Sequence, residues 1–129
     1  MDAYLLKEAF QTLSALSLLP PDARSDGLLI GHKRGHRFFV EKILPTQKGF
    51  FSSLDKYFAL NRLYDDRLLG FFSFQPDEKT MKKILVPFAF GKLLLKIRLD
   101  GQKDMSIEPF VVEFEKKFYL SPIPLRSSR

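Results

Sequence analysis

Residues 68–76 read Leu-Leu-Gly-Phe-Phe-Ser-Phe-Gln-Pro and form a nearly continuous apolar run near the middle of the chain. Two aspartates precede the run, and Gln75-Pro76 ends it. A strand with one exposed face alternates apolar and polar residues, whereas a strand that is covered on both faces is apolar throughout. The run therefore predicts a central strand over 68–74 that carries packed elements on both of its faces.

A β-hairpin is predicted upstream of this strand. Residues 27–31, Gly-Leu-Leu-Ile-Gly, and residues 38–44, Phe-Phe-Val-Glu-Lys-Ile-Leu, have the composition of strands. Residues 32–36 between them read His-Lys-Arg-Gly-His, and Gly35 can adopt the positive φ that a tight hairpin needs.

Two helices are predicted to pack on the sheet. From Asp2 to about Leu18, apolar residues recur at three- and four-residue steps, which is the period of a helix with one buried stripe. Because proline has no amide hydrogen to donate, Pro20-Pro21 ends this helix. Ser52 or Ser53 is placed to cap a second helix that runs to about Tyr64.

Further strands are predicted towards the C-terminus. Residues 93–99 alternate apolar and polar side chains with the two-residue period of a half-exposed strand. Asp100-Gly101 is typical of the turn that follows, and residues 110–115 predict the partner strand. Residues 117–120 extend the sheet after a bend.

The remaining segments predict little regular structure. Asp77-Glu78-Lys79 can open a short helix, which Pro87 must interrupt. From Ser121 onward the chain shows no core-forming pattern. We therefore expect one domain over residues 1–124 and a flexible tail over residues 125–129.

Element order and composition together set the class of protein. The order predicts an α/β (α+β) domain with a single mixed β-sheet and flanking helices. The 129 residues include no cysteine, which excludes disulfides, zinc–thiolate sites and cysteine nucleophiles. The net charge of +6 indicates an anionic partner only weakly, because lysine and arginine are spread along the whole chain. No apolar stretch approaches the ~20 residues of a membrane-spanning helix, so we expect a cytoplasmic protein without a membrane partner.

The order of several short motifs resembles a known family. Gly27-Leu-Leu-Ile-Gly31, Gly35, a strand ending in Ile43-Leu44-Pro45, a helix and then Leu69-Gly70-Phe71-Phe72-Ser73-Phe74-Gln75-Pro76 are similar to the skeleton of the MPN/JAMM domain of JAB-type metal-dependent isopeptidases. In that family a G-x-L-x-G strand is followed by a hairpin, a helix and a strand reading L-G-x-x-H-S-H-P. The resemblance covers roughly residues 1–124 and implies a JAMM/cytidine-deaminase-like architecture.

The same resemblance implies where a zinc site would lie. In the family, two histidines at i and i+2 of the strand and a downstream aspartate hold the ion, and an upstream glutamate is the general base. The matching positions, none of which carries the family's residue type, are Arg24, Ser73, Gln75, Lys83 and Val86. Asp22 and Asp26 are the acids that could replace the glutamate. Since zinc needs about three strong protein ligands, the resemblance implies the fold without a metal or another cofactor.

Ser73 by itself also fails as a predicted nucleophile. No histidine lies in its strand to activate the hydroxyl, and no G-x-S-x-G motif surrounds it. We expect instead that Phe72 and Phe74 fill or line the former cleft, with Gln75 as a hydrogen-bonding structural residue.

The hairpin turn offers a second candidate site. His32 and His36 could hold a metal with Asp65 or Asp66, but the positive charge of the turn opposes a cation. A solvated loop tip is therefore the favoured interpretation. Contact of Lys33 and Arg34 with a phosphate or an acidic protein surface stays open as a less favoured one.

Phe50 and Phe51 are candidates for a partner contact. They lie in a connecting segment where no periodicity requires burial. Exposure to a partner and packing onto the core are equally compatible with this position.

These observations favour a catalytically inactive JAMM/MPN-like domain, a pseudoenzyme, that acts as a protein-interaction or scaffold module and forms homodimers. Two alternatives stay open. A small-ligand or nucleic-acid binding module, with nucleic acid the less favoured ligand, predicts affinity that falls steeply with salt. A hydrolase or isopeptidase with a rearranged site predicts zinc in the purified protein.

Overall fold

The chain folds into one curled sheet with a few short helices. The computed structural model of the protein describes residues 1–46, 59, 62–64, 67–100 and 104–127. In chain order the strands are β1 (Asp2–Leu5), β2 (Gly27–Arg34), β3 (Arg37–Pro45), β4 (Leu68–Phe74), β5 (Leu93–Asp100), β6 (Asp104–Glu115), β7 (Lys117–Pro122) and β8 (Leu125–Ser127). Helical segments of the described residues are α1 (Lys7–Ser17), α2 (Glu78–Lys82), 3-10 turns at Pro21–Ala23 and Pro87–Ala89, and residues 59 and 62–64.

The strands form one sheet of mixed direction in the order β7-β6-β5-β4-β2-β3-β1-β8. β1 runs parallel to β3 and to β8, β4 runs parallel to β5, and the other neighbours are antiparallel. The single mixed sheet predicted from the sequence is therefore confirmed, in an α+β domain that consists mostly of sheet.

The sheet curls until its two end strands are joined by a two-residue link. β7 and β8 stand at opposite ends of the strand order, yet Ile123-Pro124 alone separates them in the chain. The amide of Ile123 donates to the carbonyl of Pro109 on β6, at 3.1 Å, and the amide of Ala3 on β1 donates to the carbonyl of Pro124, at 3.0 Å. The end of the chain thus bridges β6 and β1.

β4 is the central strand, as its apolar run predicts, and residues 68–73 are all buried. One buried cluster, here named the α1 face, joins Leu13 of α1 to Phe72 and the side chains around it. A second cluster, here named the Ile84 face, joins Ile84 to Phe71. Gly70 permits the close pairing of β4 with β5, because a Cβ at this position would overlap the carbonyl oxygen of Leu93.

The predicted hairpin is also confirmed, with longer strands than expected. β2 extends to Arg34 and β3 begins at Arg37, so Gly35-His36 forms the turn, and Gly35 has a φ of 58°. The short helix that Asp77 opens is present as well, and the Asp77 carboxylate accepts a hydrogen bond from the amide of Thr80 at 2.7 Å.

Two terminal predictions were wrong. The N-terminal helix begins at Lys7 rather than near Asp2, because residues 2–5 pair with β3 and bury Ala3 and Leu5 at a two-residue step. The tail does not become flexible at residue 125. Leu125 packs against the α1 face and residues 125–127 pair with β1, since the link at 123–124 carries the chain to that edge.

Several predictions concern segments outside the described residues. These are the contact pair Phe50 and Phe51, the caps Ser52 and Ser53, the acids Asp65 and Asp66, the turn at Gly101 and the last two residues of the tail. Within the described ranges, every helix is too short or too polar to cross a membrane.

Candidate functional site

The carboxyl ends of β4 and β5 lie side by side and bring several polar side chains together. The two strands are parallel, with Ser73 of β4 opposite Lys96 of β5. Register partners project from the same face, so both side chains lie on the Ile84 face with Phe71. In sheets with parallel strands, ligands bind outside this carboxyl end.

Asp26 reaches the same place from the other side of β4. β2 is antiparallel to β4 with Gly27 opposite Phe72, so the residue before β2 lies opposite Ser73. The hydroxyl of Ser73 donates a hydrogen bond to Oδ1 of Asp26 at 2.6 Å, and Ser73 is only 2% exposed.

The surroundings of Asp26 have two opposing effects on the pKa of its carboxyl group. Burial disfavours the carboxylate and raises the pKa of Asp26 above its ordinary value. The hydrogen bond from Ser73 and the positive charge of Lys83, which follows α2, oppose this rise without cancelling it. The serine and the lysine therefore favour the charged form of the carboxyl group, whereas burial favours its neutral form.

Gln75 follows β4 and is hydrogen-bonded to β5 through both its backbone and its side chain. It has a φ of 46°, which turns the chain away from the sheet. Its amide donates to the carbonyl of Ile97 at 2.6 Å, and its Nε2 donates to the carbonyl of Leu99 at 3.1 Å. The side chain is thus a structural hydrogen-bond donor, as the sequence predicts.

A shallow cleft of about 240 Å³ opens beside Gln75. Its lining includes Lys96 and Arg98 from β5. Nε of Arg98 is 3.2 Å from the Glu108 carboxylate on β6, which partly balances its charge. The cleft is therefore polar, and basic residues dominate it.

The other two degenerate positions of the resemblance lie apart from this cluster. Nε of Arg24 donates to the carbonyl of Leu19 at 2.9 Å, and its guanidinium carbon is 5.9 Å from the centre of the Phe74 ring. Val86 packs against the apolar Ile84 face. The structure therefore brings Ser73, Gln75 and Lys83 to one end of the sheet.

The structure does not place Phe72 and Phe74 in this cleft, contrary to the expectation from the sequence. Phe72 and Phe74 belong to the α1 face, and their rings meet edge to face with centres 6.0 Å apart. Strand alternation puts Ser73 on the opposite face, so these two rings cannot line the same cleft. On the Ser73 side of β4, the structure has the hydrogen bond between Ser73 and Asp26.

The residues of this site do not fit a zinc ion. Within the described ranges, no three side chains of the types His, Cys, Asp or Glu lie close enough together to hold a metal. The hydroxyl of Ser73 is already hydrogen-bonded to the Asp26 carboxylate, and Lys83 and Lys96 add positive charge. Because zinc sites require about three strong donors, no metal-dependent step is assigned here.

The hairpin residues have partners of their own. Nδ1 of His32 lies 2.6 Å from the Glu41 carboxylate, and its ring stacks on Phe39 with the ring centres 4.8 Å apart. The ammonium of Lys33 lies 4.9 Å from the centre of the Phe38 ring. Arg34 ends β2 at the turn. A solvated turn is consistent with this arrangement.

From the sequence, Asp26 was predicted only as a substitute for the missing glutamate. Neither its hydrogen bond to Ser73 nor the proximity of Lys96 was predicted. The missing information was the register. Once Gly27 pairs with Phe72 and Phe74 with Ile97, Asp26 and Lys96 must flank Ser73.

We predict that Asp26→Asn gains stability relative to the wild type as pH rises. A carboxyl group with a raised pKa in the folded state favours folding below its ordinary pKa, and this contribution is lost as pH rises through the folded pKa. The amide cannot ionise but keeps an acceptor for Ser73. Urea unfolding between about pH 3 and pH 7 measures the difference.

Asp22→Asn, on the exposed 3-10 turn, is the matched control and should show no comparable pH-dependent gain. A gain of stability in Asp26→Asn that is the same at every pH would contradict the prediction.

Comparison with known proteins supports the fold alone. Neither a family model nor a curated protein matches the chain. Among solved structures, it is similar to the solution structure of protein DSY2949 from Desulfitobacterium hafniense, a structural genomics target. The TM-score is 0.67 at 19% identity, over 98% of this chain and 94% of the other. The likeness therefore extends over the whole curled sheet.

Proposed function

We propose that this protein is a non-hydrolytic MPN/JAMM-like module that acts through contacts with other proteins. The observation that carries the proposal is the hydrogen bond of 2.6 Å between Ser73 and Asp26 at the carboxyl end of β4. Ser73, at a position that matches a zinc ligand of the family, is hydrogen-bonded to Asp26, near the position of the family's general base, and Lys83 acts on the same carboxyl group.

The order of helices and strands along the chain supports the proposed JAMM-like fold. β2 begins at Gly27, the β2–β3 hairpin follows, residues 59 and 62–64 are helical, and β4 carries the run from Leu68 to Phe74. This is the order that the family's motifs require. It supports a JAMM-like architecture for the curled sheet.

The chemistry of the site supports the absence of catalysis. A nucleophile must reach its substrate and needs an adjacent base to take its proton. The Ser73 hydroxyl donates a hydrogen bond to the Asp26 carboxylate, but the side chain is only 2% exposed and so lacks the access to a substrate that a nucleophile needs. Such a pair serves to stabilise the end of the sheet.

We predict that the purified protein contains less than about 0.1 zinc per chain and does not cleave an isopeptide-linked peptide when zinc is supplied. Elemental analysis and a cleavage assay measure the two outcomes. Stoichiometric zinc together with cleavage that a chelator abolishes would refute the proposal and favour a hydrolase with a rearranged site.

An aromatic pair at the end of the β6–β7 hairpin, with one exposed ring and one partly buried ring, is a candidate contact surface. Phe114 and Phe118 are register partners with ring centres 4.9 Å apart, and Phe114 is 55% exposed. Among the strands of the described residues, β7 is the last in the sheet order and pairs only with β6, and an edge strand of this kind is suited to pairing with a second chain. A homodimer would remove this aromatic surface from water.

We predict that Phe114→Asp shifts the wild-type dimer towards monomer, because it places a charge in an apolar contact. Sedimentation equilibrium measures the change. Phe10→Asp is the control, since Phe10 is similarly exposed, at 49%, on α1. A wild-type chain that stays monomeric at about 100 μM would contradict self-association through this surface.

A second candidate function is the binding of a small anion in the cleft beside Gln75. The lining side chains Lys96 and Arg98 favour it. Such binding would weaken strongly with ionic strength, whereas an apolar protein contact would not.

A further inference from the structure

The main chain of β7 presents Phe118 and Leu120 on the side that faces away from β6. The amide of Val112 on β6 donates to the carbonyl of Lys92 at 3.0 Å, and its carbonyl accepts from the amide of Gly91 at 2.8 Å. Val112 thus turns its main chain towards the residues that lead into β5, and its register partner Leu120 turns its own away from β6. By the two-residue period of a strand, Phe118 points in the same direction.

Further along the chain, the same outer edge is occupied by β1. The amide of Ala3 donates to the carbonyl of Pro124 at 3.0 Å, and the ladder of β1 with β8 starts at the pair of Ala3 and Leu125. β1 begins at Asp2. In the part of the chain that the structure describes, the outer edge of residues 118–122 has no neighbouring strand. The amides and carbonyls of two residues are therefore offered to a further strand.

Two features restrict the strand that this edge can accept. Pro122 ends β7 and has no amide hydrogen to donate. Lys116 and Lys117 stand at the other end of β7 and are exposed, so they repel a positive charge placed opposite them. The edge therefore suits a strand that brings a neutral end to the lysines and needs no donor from Pro122. β7 itself, running antiparallel, meets both requirements.

We propose that β7 pairs antiparallel with β7 of a second copy of this chain, about a two-fold axis through Tyr119. This inference rests on the self-association proposed above and specifies its geometry. In the proposed register Phe118 lies opposite Leu120 of the second copy, and each such pair exchanges two main-chain hydrogen bonds. Lys117 lies opposite the neutral Ser121 of the second copy.

Hydrogen bonding and charge select this register over its two neighbours. An axis through Leu120 would put Pro122 opposite Phe118, where the proline cannot donate. An axis through Phe118 would bring the two copies of Lys117 to about 7 Å from each other along the strands. With the axis through Tyr119 this separation is about 13 Å, which exceeds the screening length of about 8–10 Å at physiological salt.

The side chains also match across the proposed axis. Phe118 and Leu120 are partly buried against the Ile84 face, so their pairing extends this apolar face into the second copy. Tyr119 projects from the other face of the sheet and is 38% exposed. The two copies of Tyr119 form a pair without main-chain hydrogen bonds between them, in which the Cα atoms lie about 4.5 Å apart and the side chains are in contact.

Disulfide cross-linking of single-cysteine variants tests the register. The chain has no cysteine of its own, so only the introduced thiols react. With oxidised glutathione and about 100 μM protein, Tyr119→Cys should form a covalent dimer, because the two thiols lie within the range of a disulfide. Lys117→Cys, on the same exposed strand, is the matched control and should cross-link at least about tenfold more slowly. In a mixture, Lys117→Cys should link to Ser121→Cys faster than to itself.

Hydrogen exchange of the unmodified protein gives a second measure that needs no substitution. The amides of Phe118 and Leu120 should exchange rapidly in the monomer, because they point away from β6. Their exchange should slow about threefold or more between about 5 μM and about 500 μM protein, as the dimer forms. The amide of Tyr119 points to β6 and is the internal control, which should be protected at both concentrations.

Three results would overturn the proposal. A dimer in which Tyr119→Cys cross-links no faster than Lys117→Cys would use another interface, and self-association itself would stand. Protection of Phe118 and Leu120 that is equal at every concentration would mean that the same chain covers this edge. A protein that stays monomeric at about 100 μM would overturn both the geometry and the self-association on which it rests.

Discussion

The burial of β4 on both faces is the constraint on which the rest of the structure depends. A strand covered on both sides must pair with neighbours that are themselves apolar at the contact, and β2 and β5 meet this requirement on its two edges. Gly70 allows β5 to approach closely. Polar groups can therefore gather only at the ends of β4. One of these ends carries the hydrogen-bonded pair of Ser73 and Asp26.

The end with Ser73 illustrates how side chains of the protein compensate a buried carboxyl group. A buried carboxylate is costly unless hydrogen bonds and positive charges compensate it. Asp26 receives the Ser73 hydroxyl at 2.6 Å and lies in the field of Lys83, yet burial still raises its pKa. The compensation is thus partial. Such a pair holds β2 and β4 together, whereas catalysis would require access that Ser73, at 2% exposure, lacks.

Patterns local in sequence predicted the central strand, the hairpin and β5, because apolar periodicity and a glycine turn reflect neighbours along the chain. β1 escaped prediction, since four residues beside a helical period carry too weak a signal of their own. β8 forms because the curl of the sheet brings Leu125 next to β1. That curl cannot be predicted from any short stretch of the sequence. Ser73, Gln75 and Lys83 could be named in advance from the resemblance of local motifs, but the hydrogen bond between Asp26 and Ser73 depends on the register of β2 and β4 and could not.

A crystal structure of the protein grown with zinc, with anomalous diffraction recorded at the zinc edge, tests most directly whether a side-chain pair has replaced a metal centre at the end of β4. The expected result is a hydrogen bond between Ser73 and Asp26 close to 2.6 Å, with no anomalous peak beside Gln75. A tetrahedral zinc ion bound by Asp26 and its neighbours, with the serine displaced, would contradict it.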